Sequence, residues 1–97
     1  MKNNNQISDE REQLRLSLLR FLDAHMEVSS RGMAESLLLQ MARAEGRLEL
    51  TMAEVRAELL YLKDRNLICQ VPKPISPELR SWRITADGRD QHAQLTT

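Results

Sequence analysis

The chain has one cysteine, Cys69, so no disulfide can form within it and no cysteine cluster of zinc spacing exists. A buried strand thiol is the expectation for that residue. No apolar run approaches the roughly 20 residues of a membrane span, so no membrane association is expected. Residues 1 to 6, MKNNNQ, contain a single basic residue and lack the apolar stretch of a secretory signal, which predicts a soluble protein retained in the cytoplasm. Only three glycines are present, and none sits in a phosphate-cradling loop; there is also no Gly-x-Ser-x-Gly nucleophile motif. The two histidines, His25 and His92, lie at metal-ligand spacing neither to each other nor to the cysteine. No enzymatic activity, cofactor or metal is therefore expected. Neither sign of charge dominates, with 14 Lys and Arg against 14 Asp and Glu. Phosphate neutralisation supplies most nonspecific affinity for DNA and leaves a basic footprint, so this balance weighs against nucleic acid as a partner. Residues 1–62 hold eight basic against ten acidic side chains and residues 63–97 hold six against four, which confines any phosphate contact to the C-terminal part.

With 97 residues, 41% of them hydrophobic, there is material for one domain with one modest core. Residues 1–8 are polar and asparagine-rich, with too little apolar surface to offset ordering, and are expected to form a flexible tail ahead of a domain spanning 9–95. Asp9, with Glu12 three residues later, can cap a first helix whose inward face is Leu14, Leu18, Phe21, Leu22 and His25. Leu16 and Leu19 project from its other side. A short extended link, Met26 to Ser29, leads to Ser30, which can cap a second helix that reaches Glu45 and ends at Gly46. Its stripe is expected to be Ala34, Leu37, Leu38 and Met41, with Leu39 outside it. Thr51 and Glu54 form a Thr-x-x-Glu capping box for a third helix that buries Val55, Leu59 and Leu62, and Asn66 suits the left-handed exit.

Beyond Asn66, LICQV has strand composition and stops at Pro72, since proline donates no ladder hydrogen bond. All three prolines fall in the next six residues, PKPISP included, and stiffen a loop before the strand SWRIT. The two strands predict a hairpin, and Thr85 can cap a last short helix. Trp82 is expected to anchor the returning strand in the core. The order helix, short strand, helix, helix, strand, loop, strand, helix is that of a winged helix-turn-helix: an α+β, mainly α domain with a three-helix core, a two-stranded β-hairpin wing and a short C-terminal helix. LLYLKDRNLI resembles the end of the recognition helix in bacterial winged-helix families, Leu-x-x-Leu-x-x-x-Gly-Leu-Ile/Val, with Asn66 in the glycine position. WRITADGRD resembles their closing Tyr-x-Leu-Thr-x-x-Gly-Arg. LRLSLLRFL, ELLYLKDRNLI and RITADGRD together are similar to a family of short winged-helix-like proteins of Mu-like prophages. That resemblance implies a phage origin among head and packaging genes and assigns no activity.

Two functions follow, from different classes. The fold's usual employment implies double-stranded DNA binding in a regulatory or phage-development setting, with Arg56 on base edges and Lys73, Arg80 and Arg83 of the wing on phosphates. The competing reading is a protein-interaction module for phage assembly or packaging that binds no DNA. Its basis is the outward face of the third helix, which carries Ala53, Ala57, Leu60, Tyr61 and Asp64, flanked by Glu54 and Arg56. Leu16, Leu19, Leu39, Leu60 and Tyr61 lie off the main stripes, and a contiguous patch of them would mark a homodimer or partner surface.

Overall fold

The computed structural model describes residues 4–26, 32–71 and 80–96, with side chains from residue 9 to residue 95. Four helices and three strands follow in the order α1 (Asn4–Met26), β1 (Met33–Ala34), α2 (Glu35–Ala44), α3 (Met52–Asp64), β2 (Ile68–Val71), β3 (Ser81–Ile84) and α4 (Ala86–Thr96). The architecture is α+β and mainly helical, with one small antiparallel sheet in the strand order β1-β3-β2. No helix among the described residues is long and apolar enough to cross a membrane.

Helix α1 starts at Asn4, ahead of the expected cap at Asp9, so residues 4–8 of the expected tail are helical, and 1–3 lie outside the described residues. No glycine or proline interrupts this polar stretch. Once the turns from Leu14 onward are fixed by packing, adding residues costs far less than nucleation did. Leu14, Leu18, Phe21 and Leu22 are buried as the apolar spacing predicts, and Leu19 is buried with them. The same helix thus packs on two sides.

Helix α2 departs from expectation at its start and in its phase. It begins at Glu35, and its N-cap, Ala34, makes no side-chain capping bond; the expected cap, Ser30, lies outside the described residues. The Glu35 N–H donates instead to the carbonyl of Arg80 at 3.1 Å, so the sheet satisfies a first-turn amide that a serine hydroxyl was expected to serve. The buried stripe is Glu35, Leu38, Leu39 and Ala42, whereas Leu37 is 41% exposed. Three consecutive leucines leave the rotation of this helix ambiguous by one residue. The partners of the Glu35 carboxylate, described below, resolve it.

The turn into α3 and the exit from it follow the sequence closely. Gly46 has φ 113°, Leu50 is buried, and Arg43 Nε donates to the Leu50 carbonyl at 2.9 Å. Thr51 Oγ1 accepts from the Glu54 N–H at 3.2 Å while Glu54 Oε1 accepts from the Thr51 N–H at 3.2 Å, a complete capping box. Val55, Leu59 and Leu62 are buried, and Asn66 leaves the helix with φ 62°, which asparagine tolerates better than most residues with a side chain.

Strand β3 is central. It pairs with β2 through Ile68 with Ile84 and Cys69 with Arg83, and with β1 through Met33 with Trp82. The expected two-stranded hairpin is therefore part of a three-stranded sheet whose third member is the short strand Met33–Ala34; of the expected extended link, Met26 is the last residue of α1 and 27–29 lie outside the described residues. Its loop, residues 72–79, lies outside the described residues. One face of the sheet covers the core with Ile68, Trp82 and Ile84, all at most 2% exposed. Cys69 is exposed, not buried: strand neighbours point to opposite faces, and burying Ile68 turns the thiol outward.

Helix α4 is fixed by the segment TADGR. Thr85 N–H donates to the Leu67 carbonyl at 3.0 Å, and its Oγ1 donates to the Asn66 carbonyl at 2.7 Å and accepts from the Gly88 N–H at 3.0 Å. A Cβ at residue 88 would run into the Leu67 carbonyl oxygen, so glycine is required there by close approach. Arg89 Nε and His92 Nδ1 each lie 3.0 Å from the Asp23 carboxylate, clamping α4 to α1.

Candidate interaction surface

Helix α3 buries Val55, Glu58, Leu59 and Leu62 on one side and exposes Ala53, Glu54, Arg56, Ala57, Leu60, Lys63 and Asp64 on the other. At 100° per residue, Ala53, Leu60, Asp64 and Ala57 form the centre of the outer face. Arg56 and Lys63 run along one flank, and Glu54 and Tyr61 along the opposite flank. The centre is small, apolar and closed by an acid.

Each flank is held by a nearly buried carboxylate. On the first, Arg56 Nε and Nη2 donate to Glu35 Oε2 at 3.1 and 2.9 Å, and Trp82 Nε1 donates to Glu35 Oε1 at 3.0 Å. The Glu35 side chain is 5% exposed and that of Arg56 45% exposed, so the acid is inside and the base caps it from the surface. The tryptophan ring itself is wholly buried, as expected for the anchor of the returning strand. On the second flank, Arg15 Nε donates to Glu58 Oε1 at 2.7 Å, and its guanidinium lies 3.6 Å from the centroid of the Tyr61 ring. Arg65 approaches the same ring at 5.1 Å. Burying a carboxylate is tolerable only when it is bonded and its charge opposed; Glu35 meets that condition on both oxygens and Glu58 through Arg15 on Oε1.

The residues expected to form an apolar patch separate into core and surface. Leu19 and Leu39, 2% and 9% exposed, belong to the core and offer nothing to a partner. The causes differ: α1 is packed on two sides, which buries Leu19, and α2 is rotated one residue from the expected phase, which buries Leu39. Leu16 and Tyr61 are half-buried, the latter beneath Arg15, and Leu60 remains 40% exposed. Leu37, which the sequence places inside, is outside. Of the residues expected to contact DNA, Arg56 is on the exposed side of α3 but committed to Glu35. Lys73 lies outside the described residues. Arg80 precedes β3 and Arg83 lies within it, both half-buried, with Arg83 opposite the exposed Cys69 and so on the outer face of the sheet.

Glu35 was missed by the sequence reading. The available signal was its spacing: with Leu38, Leu39 and Ala42 it stands at i, i+3, i+4 and i+7, an amphipathic stripe whose first member is charged. No metal-binding group of His, Cys, Asp and Glu forms among the described residues; His25 Nε2 donates to the Gly32 carbonyl at 3.1 Å, a structural bond. The shallow concavity between α1 and α4 is lined by Asp23, Ala86, Arg89, Asp90 and Ala93. Two of these are consumed in the interhelical clamp. Comparisons with protein-family models, curated proteins and solved structures find no match to this chain.

Proposed function

We propose that the chain is a winged helix-turn-helix domain that works as a protein-interaction module: α3 presents its Ala53, Ala57 and Leu60 face to another protein chain and does not read DNA. The element order, with β3 between β1 and β2 and α2 and α3 joined by a short turn, supports the fold assignment. The likeness of LRLSLLRFL, ELLYLKDRNLI and RITADGRD to short proteins of Mu-like prophages supports a setting in phage assembly or packaging. The observation that carries the function is the bonding of Arg56. It is the one basic residue in the first two turns of α3, where a reading helix needs base-contacting side chains, and its guanidinium already serves a buried acid.

A low-salt titration with fluorescent random duplex, run beside light scattering of the free chain, tests this. A DNA-binding domain shows nonspecific dissociation constants of about 1 to 100 μM even at physiological salt, and tighter ones below it. No saturable binding at about 50 mM salt is expected for this chain. A micromolar complex with a steep salt dependence would sink the proposal.

A second reading, DNA binding through the hairpin, is favoured by one feature. Arg80 and Arg83 make no ion pair with any described residue, unlike Arg15, Arg20, Arg47, Arg56 and Arg89. On that reading, alanine at Lys73, Arg80 and Arg83 weakens duplex binding across all sequences and lowers the salt slope by about three.

A further inference from the structure

We infer that Glu35 is the residue that denies nucleic acid access to the α3 face, leaving that face to a protein partner; the inference rests on the protein-interaction reading above. Nucleic acid would need the guanidinium of Arg56, and Glu35 holds it through two N–H donors on one carboxylate oxygen, at 3.1 and 2.9 Å. The other oxygen is occupied by Trp82 Nε1 at 3.0 Å, and the acid's side chain is 5% exposed. Moving Arg56 to a phosphate or a base edge strips a buried carboxylate of its counter-charge. That loss offsets what a single arginine contact returns. A protein partner with apolar side chains over Ala53, Ala57 and Leu60 makes no such demand, since Arg56 can stay on Glu35 while the partner docks beside it. Specificity arises here from a penalty against the wrong ligand rather than from a contact to the right one.

The experiment is the random-duplex titration at low salt with four chains: wild type, Glu35→Gln, Glu35→Gln with Arg56→Ala, and Glu54→Gln. The amide in Glu35→Gln keeps the length and can still accept from Trp82, but it no longer binds Arg56 as a charge. At about 10 mM salt, where even weak phosphate contacts register, its initial titration slope is expected to be about tenfold above wild type, with a salt dependence steeper by about one, as one added phosphate contact requires. Arg56→Ala in the same background should return the affinity to that of wild type. Glu54→Gln makes the same change of net charge at an exposed edge of α3, where glutamine still serves the capping box, and should gain less than threefold. Unchanged affinity in Glu35→Gln, or an equal gain in Glu54→Gln, overturns the inference. A cooperative urea transition followed by far-UV circular dichroism reports whether the variant keeps its native core, since the Trp82 indole bonds Glu35 and its emission shifts with the substitution itself. If Glu35→Gln does not fold, Glu35→Met, uncharged and of similar length, carries the same expectation. Tight duplex binding by the wild-type chain would instead sink the protein-interaction reading itself, so the two failures are distinguishable.

Discussion

Arg56 and Glu35 sit in different solvents, the base at the surface and the acid inside, and the energetic consequence of deleting either is unequal. Removing Arg56 leaves a buried carboxylate with only the indole of Trp82 to bond it, whereas neutralising Glu35 leaves a half-exposed guanidinium that water can solvate. Arg56→Ala is expected to cost about 1 to 3 kcal/mol, the range for an acceptor left short of partners and softened here by water near the surface. Glu35→Gln should cost less, and adding Arg56→Ala to it should cost almost nothing more. Urea unfolding of the three variants closes this cycle, and additive costs would mean that the pair does not interact. Glu35 also marks what the sequence could not convey at this scale. A charged residue at a stripe position is taken for a helix-starting acid facing water, because the groups that justify its burial, Trp82 and Arg56, are 47 and 21 residues away.

Local chemistry predicted whole elements well where all the partners are local. The Thr51 to Glu54 capping box, the Asn66 exit and the Thr85 cap involve neighbours within a few residues, and each forms as its composition requires. Helix α2 fits less well because its first amide is satisfied by the Arg80 carbonyl, just ahead of β3, and its rotation is set by Trp82 on β3. Gly88 belongs to the same class of nonlocal demands: the sequence shows it as one residue of a recurring ending, and the packing supplies the reason. The carbonyl of Leu67 and the Ile84 side chain occupy the space a Cβ would need. Elsewhere in a helix, replacing glycine by alanine stabilises. Here Gly88→Ala is expected to destabilise by about 1 to 3 kcal/mol, the usual cost of overpacking. It should also loosen α4 from Asp23, seen as faster amide exchange in residues 86–96. A more stable variant would show that α4 is not pressed against the β2 entrance.

At the scale of the molecule, the question is whether the α3 face belongs to the core of one chain or to a contact between chains. The core of the chain runs through α1, α2, α3 and the sheet without Leu60, while Leu19 is inside it. Two leucines that look alike in the sequence therefore have opposite roles. Leu19→Ala should cost about 2 to 5 kcal/mol through the cavity it leaves, and should shift the urea midpoint accordingly. Leu60→Asp removes a 40% exposed side chain and is expected to change stability by no more than about 0.5 kcal/mol, as surface substitutions do. Its effect should appear in association: the concentration-dependent rise in mass that light scattering detects for a self-associating chain, or the retention of a co-expressed partner, is lost while the melting curve stays in place. A single carboxylate at the centre of an apolar contact must either be buried unpaired or force the surfaces apart, and both weaken binding severely. If Leu60→Asp instead unfolds the chain as Leu19→Ala does, the face is part of the fold. The partner-binding role would then have to move to the outer face of the sheet, where Arg80 and Arg83 stand without counter-ions among the described residues.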